Sequence, residues 1–323
     1  MNDTRGRPQP LDFEKPIAEL EDQLEDMRGK ARSQDADPSR QIAALEAKLE
    51  EARTRIYQNL TPWQRVQIAR HVSRPFMLDY LRDAFDDFCE LHGDRLVGDD
   101  KAMPGGFALV EGRRCVVIGH QKGRNTKENL ERNFGSAHPE GYRKALRLMK
   151  LAEKFEIPVI SLIDTPGAFP GIGAEERNIA ESIARNLRDM MDLRTPIVAV
   201  VVGEGGSGGA LGIGVADRIL MLENAYYSVI SPEGCAAILW KHRKHAPEAA
   251  EAMKLTAEDL AGMSLVDEVV PEPTGGAHHD VRSAANNLKA ALVRNLDELG
   301  KMSGEEMLAA RYQKFREAGQ WVE

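Results

Sequence analysis

The stretch IVAVVVGEGGSGGALGIG, residues 197–214, decides the fold class of this chain. Its first six residues are apolar, which is typical of a strand covered on both faces of a sheet. Six glycines follow within residues 203–212, so the strand ends in a tight turn before a short helix. Glycines let a ligand atom approach the backbone, and the N–H groups that begin the helix point at it. We therefore predict an anion or oxyanion site on this loop.

A second predicted strand ends in a similar turn, DTPGAFPGIGAEE at residues 164–176. Its three glycines and two prolines fix an unusual backbone path and leave N–H groups free near the next helix. Adjacent strands that each end in such a turn create a cleft at their carboxyl ends. The two loops together are therefore more specific evidence of a site than either loop alone.

From about Pro104 the chain alternates predicted strands with amphipathic helices. Apolar strands without polar alternation must be covered on both faces, so this region is predicted to form an α/β domain. Apolar residues three and four apart predict two amphipathic helices, one with Tyr142 on its apolar face and one with Ile179 on its apolar face. The predicted elements are two strands within residues 106–124 joined by a turn at Glu111 and Gly112, strands at 158–163, 197–202 and 218–222, and closing helices at 281–299 and 303–317.

The amino-terminal 60 residues carry a different pattern. Apolar residues three and four apart predict two amphipathic helices, one around Leu24 and one around Leu49. Residues 29–39 between them contain Gly, Pro and Asp, which favours a helical hairpin. We therefore divide the chain into an N-terminal helical hairpin, residues 1–60, and a main domain, residues 61–323. The apolar seam of the hairpin must cover either the main domain or a partner, and we expect it to serve subunit assembly.

Composition limits the location and chemistry of the protein. The net charge of −8 argues against a generic nucleic-acid binder. The chain starts without an apolar signal segment and contains no apolar run long enough to span a bilayer, which predicts a soluble, cytoplasmic protein without membrane partners. The three cysteines lie far apart, so neither a disulfide framework nor a zinc ribbon is predicted, and no metal site is expected in this chain.

The glycine loop also fits a dinucleotide-binding oxidoreductase. Gly203, Gly205 and Gly208 match the pattern G-x-G-x-x-G, and Glu223 ends the next predicted strand. A run so rich in glycine matches many patterns by chance, and the following helix is short for a Rossmann crossover. This class therefore remains an alternative only.

A serine hydrolase is the other alternative. Residues 205–209 match the G-x-S-x-G nucleophile elbow, with Ser207 as the nucleophile. Asp267 and either His278 or His279 follow in the order that such a catalytic triad requires. The hydrolase interpretation therefore stays open at this point, although Ser207 is equally explained as a turn residue.

Four motifs in a fixed order resemble one known family: GHQKGR at residues 119–124, the two glycine loops, and SVISPEGCA at residues 228–236. With the acidic segment PIAELE at residues 16–21, they are similar to the alpha subunit of the carboxyltransferase of multi-subunit acetyl-CoA carboxylase, of the bacterial and plastid type. The resemblance spans nearly the whole chain. It implies a crotonase-like (ClpP/crotonase) superhelix of strand-strand-helix units with an N-terminal helical extension, rather than an open Rossmann sheet.

The resemblance also implies a reaction and a set of partners. The carboxyl group would move from carboxybiotin, on the biotin carboxyl carrier protein, to acetyl-CoA, forming malonyl-CoA in the first step of fatty acid synthesis. A beta subunit bearing a zinc ribbon would supply much of the coenzyme A thioester site, and biotin carboxylase would complete the system. An α2β2 heterotetramer, active only with the beta subunit, is expected.

This reaction develops negative charge on the thioester oxygen and on the ureido oxygen of biotin, so it needs donors fixed where that charge appears. We expect the backbone N–H groups of Gly208, Gly209 and Ala210 to be these oxyanion donors, with Gly171 on the facing loop as a further donor. The basic side chains between residues 122 and 132 would contact coenzyme A phosphates or the carrier protein, or would lie on a solvated loop. The residues expected to bind carboxybiotin or coenzyme A are Gly205, Gly206, Ser207, Gly167, Ala168, Gly173, Lys122 and Arg124.

Overall fold

The structure is a computed structural model that describes residues 8–31 and 39–319. Its described strands belong to one sheet, and apolar residues dominate the central ones because these are covered on both faces. The strands are β1 (Asp86–Glu90), β2 (Gly105–Val110), β3 (Arg113–Gly119), β4 (Val159–Thr165), β5 (Ile197–Gly206), β6 (Arg218–Leu222), β7 (Tyr226–Ser228) and β8 (Glu268–Val270).

Helices flank this sheet and form the amino-terminal segment. None of the described helices is long and apolar enough to cross a lipid bilayer. The helices are α1 (Lys15–Ala31), α2 (Ser39–Tyr57), α3 (Pro62–Ala69), α4 (Met77–Ala84), α5 (Thr126–Glu131), α6 (Pro139–Lys154), α7 (Ile172–Glu176), α8 (Ile179–Asp192), α9 (Ser207–Leu211), α10 (Pro232–Leu239), α11 (Ala246–Met253), α12 (Ala257–Gly262), α13 (Val281–Leu299) and α14 (Gly304–Glu317), with short 3-10 turns at Asp12–Glu14, Asn133–Gly135 and Arg243–His245.

The strands lie in the sheet in the order β1-β2-β3-β4-β5-β6-β8, which is also their order along the chain. The first two pairings are antiparallel and the others are parallel, while β7 pairs with the last residues of β5. The predicted turn between β2 and β3 is confirmed: Glu111 and Gly112 have φ values of 46° and 73°, as a tight two-residue hairpin requires. This sequential order places the carboxyl ends of β3, β4 and β5 side by side.

The amino-terminal helices α1 and α2 lie antiparallel. The ion pair between Arg28 and Glu46, at 2.6 Å, and the pair between Arg53 and Glu21 fix this orientation. The predicted turn of the hairpin falls largely on residues 32–38, which lie outside the described residues. The two helices therefore pair as a hairpin requires.

The apolar seam of this pair packs on the chain's own main domain. Ile17, Leu24, Leu49 and Tyr57 form one buried cluster with Ile68 of α3, and Leu45 and Ile56 are partly buried against it. Packing within the chain, the alternative to subunit assembly, therefore buries part of the seam, between the two helices and against Ile68. An additional role in assembly remains a prediction.

A buried polar cluster fastens the base of the hairpin to the main domain. Glu14, at the start of α1, accepts hydrogen bonds from the hydroxyl of Tyr57 and from Nε2 of His278, the latter at 3.1 Å. The imidazole of His71 packs on His278, with ring centroids 4.4 Å apart. Burial would raise the pKa of Glu14, but the hydrogen bonds from His278, His279 and Tyr57 hold it well below its usual range.

This cluster predicts that the protein loses stability in mild acid. Burial lowers the pKa of His278 to about 4 from its ordinary value of 6.5, so the unfolded chain binds a proton there at a higher pH than the folded chain does. The contribution of His278 to stability is therefore complete above about pH 6.5 and is lost as the pH falls towards 4. Below pH 4.5 the depressed pKa of Glu14 adds a loss of the same sign.

The measurement is the melting temperature between pH 7.5 and 4 of the wild type and of His278→Gln, which keeps a neutral donor for Glu14. The variant should show a shallower fall between pH 6.5 and 4. Because burial also lowers the pKa of His120, to about 3, some of the slope should persist in the variant. Identical slopes in the two proteins would show that His278 does not contribute.

Candidate functional site

The two glycine loops lie against each other at the carboxyl ends of β4 and β5. The two strands are parallel neighbours, and Thr165 pairs with Gly205 just before both chains leave the sheet. A Cβ atom on Gly209 would lie 2.5 Å from the backbone of Gly167 and Ala168, and one on Gly206 would overlap the carbonyl of Pro166. The loops that the sequence singled out are thus brought into direct backbone contact.

This contact changes the explanation for most of the glycines. Five of the six glycines within residues 203–212 would meet protein atoms less than 3.0 Å from an added Cβ, so each is required for packing inside the chain. Only Gly208 has room, since its nearest neighbour would be Cδ1 of Ile183 at 3.8 Å. The sequence argument attributed the glycines to ligand approach; packing within the chain explains five of them without a ligand, and Gly208 alone has open space where a Cβ would lie. The other five are Gly203, Gly205, Gly206, Gly209 and Gly212.

Helix α9 begins directly at the glycine loop and presents unpaired backbone donors. Ser207, its first residue, is exposed and has a φ of 52°, a left-handed conformation that turns the chain sharply out of β5. Within the described residues, the N–H groups of Gly208 and Gly209 donate to no other group of the chain, as expected for the first turn of a helix. Two donors are therefore available, one at half-exposed Gly208 and one at buried Gly209.

The facing loop contributes a different set of atoms. Gly167 and Ala168 make the contact with Gly209 and are half-exposed. Gly171 lies further along as the residue that caps α7, and its carbonyl accepts the N–H groups of Ala174 and Glu175. The role of Gly171 as a second donor, and that of Gly173 beside it, stay predictions.

A buried ionic cluster lies at the same ends of the strands. Lys122, which follows β3, places Nζ 2.6 Å from Oδ1 of Asp164 in β4 and 2.7 Å from Oε2 of Glu204 in β5. The backbone N–H of Glu204 also donates to Oδ1 of Asp164, at 2.9 Å. A Cβ on Gly203 would come within 2.5 Å of that carboxylate oxygen. The cluster therefore links the carboxyl ends of β3, β4 and β5, and it requires a glycine at position 203.

The charge states in this cluster follow from burial and pairing. Burial raises the pKa of Asp164, with Lys122 opposing that shift. Burial disfavours the charged form of Lys122, but Asp164 and Glu204 outweigh it and raise its pKa. For Glu204, burial is outweighed by Lys122 and Arg70, which hold its pKa at about 2. These shifts favour the charged forms of Lys122 and Glu204 and the neutral form of Asp164.

Arg70, which caps the end of α3, links the cluster to Glu233 in α10. Nε of Arg70 donates to Glu204 at 2.7 Å, Nη1 donates to Glu233 at 2.5 Å, and Nη2 donates to the hydroxyl of Tyr226 at 2.9 Å. The hydroxyl of Tyr226 in turn donates to Glu204. The sequence did not single out Glu204, because partners 134 and 22 residues away cannot be read from spacing.

The structure shows the contacts of the two basic side chains that were predicted to bind a ligand. Lys122 belongs to the buried cluster, so it neither lies on a solvated loop nor has a free charge for a phosphate. Arg124 is half-buried, with its guanidinium over the ring of Phe76 at 3.9 Å and bonded to Asp79 and the carbonyl of Val72. Both side chains assigned to cofactor binding are therefore already used in packing the chain itself.

The serine hydrolase alternative fails on geometry. Asp267 accepts the N–H of Ile219 at the amino end of β6, opposite Ala199 in β5, whereas Ser207 follows the carboxyl end of β5. At about 3.3 Å per residue, the intervening strand separates Asp267 from Ser207 by roughly 20 Å or more. His278 is occupied by Glu14, and no histidine in the described part of the chain is hydrogen-bonded to Ser207. No triad is assembled here.

The dinucleotide-binding alternative fails on topology. A Rossmann sheet reverses its strand order at the point where the ligand binds, and the Gly-rich turn opens a full crossover helix there. In this chain the strands from β3 to β8 keep their sequence order on the main path of the sheet, and α9 spans only Ser207–Leu211. The glycines that match the pattern are explained by the loop contact instead.

One group of side chains has the donor types of a metal site. Within the described residues, Glu14, His278 and His279 each offer one ligand atom within 4.8 Å of the others. However, both carboxylate oxygens of Glu14 already accept hydrogen bonds, Oε2 from the N–H of Leu11 at 2.7 Å and Oε1 from Tyr57 and His278. These contacts account for the cluster without an ion, and the expectation of no metal in this chain stays a prediction.

Comparison with known proteins assigns nearly the whole chain to one family. A family model described as acetyl co-enzyme A carboxylase carboxyltransferase-like matches residues 10–319. The acetyl-coenzyme A carboxylase carboxyl transferase subunit alpha of Thermus thermophilus is 56% identical over 97% of this chain and 99% of that protein. The protein of the same name from Geobacter metallireducens is 55% identical, over 97% and 98% of the two chains.

Solved structures agree with the predicted fold. Transcarboxylase 12S, solved with methylmalonyl-coenzyme A, has a TM-score of 0.59 at 18% identity over 75% of this chain, which spans about half of the transcarboxylase chain (46%). A Pseudomonas malonate decarboxylase hetero-tetramer, solved with coenzyme A, has a TM-score of 0.55 at 16% identity over 67% of this chain and 86% of that chain. At these identities the likeness shows the fold alone, and it confirms the crotonase-like carboxyltransferase fold.

Proposed function

The chain belongs to the family of acetyl-CoA carboxylase carboxyltransferase alpha subunits, and on this basis we propose that it transfers the carboxyl group from carboxybiotin to acetyl-CoA to form malonyl-CoA. The main observation in support of a site is the pair of free N–H groups at Gly208 and Gly209, on a loop that packs against a second glycine loop. Donors fixed in this way stabilise an oxygen that becomes negative during reaction.

The reaction makes limited demands on this chain. The bond between N1′ of biotin and the carboxyl carbon breaks, a bond forms between that carbon and the methyl carbon of acetyl-CoA, and the methyl proton passes to N1′. No acid or base from the protein is needed to balance these steps. The chain's part is to hold N–H donors at the oxygen where charge develops, with Ala210, and Gly171 on the facing loop, as further candidates.

The predicted binding residues are retained only in part. The exposed Ser207 and the half-exposed Gly167 and Ala168 adjoin the free donors and are proposed to contact the ligand. Gly205 and Gly206 are buried and are proposed to shape the loop instead, because an added Cβ on either would strike Tyr227 or Pro166. Lys122 and Arg124 are left out, since both are bound within the chain.

The names of the relatives describe a subunit, so the chain is part of a multi-subunit enzyme. We propose more specifically that it acts in the cytoplasm with a zinc-ribbon-bearing beta subunit, the biotin carboxyl carrier protein and biotin carboxylase, as an α2β2 carboxyltransferase core. The division into a hairpin (1–60) and a main domain (61–323) is likewise a proposal. It is supported by the separate apolar cluster of the hairpin, which meets the main domain at Ile68.

The test is to co-express the chain with its beta subunit and to measure decarboxylation of malonyl-CoA in the presence of biocytin. The complex should be active and the isolated chain inactive, because one subunit with one set of donors stabilises only one of the two developing charges. An inactive, correctly assembled complex would contradict the proposed function. Full activity of the isolated chain would contradict the requirement for the partner.

Replacing Ser207 by alanine should leave most of this activity, within about threefold of the wild type. Among the described residues its hydroxyl has no histidine partner, so it is not activated as a nucleophile, whereas the proposed mechanism uses only backbone N–H groups on this loop. The measurement is kcat of the Ser207→Ala complex, with its melting temperature as a control for folding. Loss of turnover in a folded complex would restore the hydrolase interpretation.

A further inference from the structure

The carbonyl groups of α9 are not all satisfied by the backbone. The N–H of Gly212 bonds to the carbonyl of Gly208 at 2.9 Å, and the N–H of Ile213 bonds to that of Ala210 at 3.3 Å. The carbonyl of Gly209 is passed over, and no backbone N–H in the described residues bonds to it. A helix this short leaves such carbonyls for side chains to satisfy.

Tyr142 supplies the missing donor. Its hydroxyl, from α6, lies 3.2 Å from the carbonyl oxygen of Gly209, and its side chain is fully buried. Burial raises the pKa of Tyr142, so the hydroxyl keeps its proton. A Cβ on Gly212 would lie 2.6 Å from the ring, so that glycine lets the ring approach the helix.

Asn186 holds the other end of the same helix. Its side chain, on α8, is buried, and Nδ2 donates to the carbonyl of Gly212 at 2.8 Å and to the carbonyl of Tyr142 at 3.0 Å. Two side chains from two neighbouring helices therefore fix the carbonyl of Gly209 in α9 and that of Gly212, which caps it, and Asn186 also holds the backbone of Tyr142. Because the peptide units are rigid, these contacts set the direction of the N–H groups of α9, including that of the fully buried Ala210.

We propose that Tyr142 is a positioning residue for carboxyl transfer, which acts through the peptide group between Gly209 and Ala210. A hydrogen bond to the carbonyl of a peptide polarises its N–H, and here that N–H belongs to Ala210, a candidate oxyanion donor. Tyr142 thus orients the N–H of Ala210 and makes it a stronger donor, without itself binding the substrate. This inference rests on the proposed function and extends it to a residue that the loop motifs do not contain.

The test is Tyr142→Phe in the complex with the beta subunit, because this change keeps the ring against Gly212 and removes only the hydroxyl. We expect kcat for biocytin-dependent decarboxylation of malonyl-CoA to fall about tenfold, with KM for both substrates within about twofold, since the donor acts on charge that develops after binding. Hydrogen exchange of the amides in residues 208–211 should become faster in the variant.

Two matched controls separate this effect from the loss of a buried tyrosine hydroxyl. Tyr80→Phe removes a buried hydroxyl that has no hydrogen-bond partner among the described residues. Tyr57→Phe removes a hydroxyl bonded to Glu14 at the hairpin base. Both should keep wild-type kcat. If the controls lose as much kcat as Tyr142→Phe, the effect is general destabilisation and the inference is overturned.

A second variant keeps the inference testable if Tyr142→Phe does not assemble. Asn186→Leu releases the other end of α9 without touching the hydroxyl of Tyr142, so it should also speed hydrogen exchange at residues 208–211 and lower kcat, by less than Tyr142→Phe does. The inference is overturned if the wild-type complex is active and an assembled Tyr142→Phe complex has an unchanged kcat. Where Tyr142→Phe fails to assemble, an unchanged kcat in Asn186→Leu overturns it in the same way. An inactive wild-type complex instead contradicts the proposed function.

Discussion

Gly209→Val is expected to lose nearly all carboxyl transfer. Its side chain would enter the space occupied by the backbone of Gly167 and Ala168, so the two loops would separate and the N–H groups of Gly208 and Gly209 would change direction. Loss of one fixed donor typically lowers kcat by about 10² to 10³. The measurement is kcat of the complex with the beta subunit, with the melting temperature recorded for the same preparation.

Gly208→Ala is the matched control on the same helix. Its Cβ would lie 3.8 Å from Ile183, an ordinary contact, and alanine favours the helix over glycine by about 1 kcal/mol. We expect an unchanged or slightly raised melting temperature and a loss of activity of less than about tenfold, caused only by the extra methyl group beside the ligand. Near-normal activity of Gly209→Val, or equal destabilisation by both changes, would show that the loop contact is not the reason for Gly209.

Lys122→Met is expected to destabilise the isolated chain by about 3 to 5 kcal/mol, which is typical of removing one partner from a buried ion pair. The change leaves Asp164 and Glu204 buried beside each other, with their side chains only 1% and 9% exposed, and Arg70 as the remaining cation. The measurement is the free energy of unfolding in urea. The loss should shrink as the pH falls, because protonation of either carboxylate relieves the uncompensated charge.

The control is Lys150→Met, which removes a surface pair with Asp189 in which the lysine is 48% exposed. An exposed pair contributes about 0 to 1 kcal/mol, so this variant should unfold almost as the wild type does. In the Lys122→Met background, Asp164→Asn should restore part of the stability, since the amide oxygen can still accept the N–H of Glu204. A loss below about 1 kcal/mol for Lys122→Met would contradict the importance of the cluster.

The interpretation of Lys122 shows where sequence spacing stops being informative. From the sequence, Lys122 was one of several basic residues on a loop, and a phosphate contact was a reasonable expectation. Its partners lie 42 and 82 residues away, and only the parallel pairing of β3, β4 and β5 brings them within hydrogen-bonding distance. The same holds for Tyr142, whose contact with Gly209 spans 67 residues.

The glycines show that one sequence pattern can have two structural causes. Their density correctly indicated a loop of unusual backbone at the end of a buried strand, but ligand approach and close packing have the same sequence signature. The structure separates them, because a Cβ on Gly209 would meet another loop and a Cβ on Gly208 would meet almost nothing. The order of candidate residues for a hydrolase was equally uninformative, since order along the chain does not place Asp267 near Ser207.

By itself the sequence determined the α/β class, the hairpin between β2 and β3, the two loops at strand ends and the family, because these depend on local periodicity, on turn chemistry and on motifs contiguous in the chain. Only the tertiary structure decided which glycines serve packing, which charges are paired, and which side chains hold α9 in place. Those features depend on the order of strands in the sheet and on atoms from distant segments meeting within about 3 Å, which no local pattern encodes.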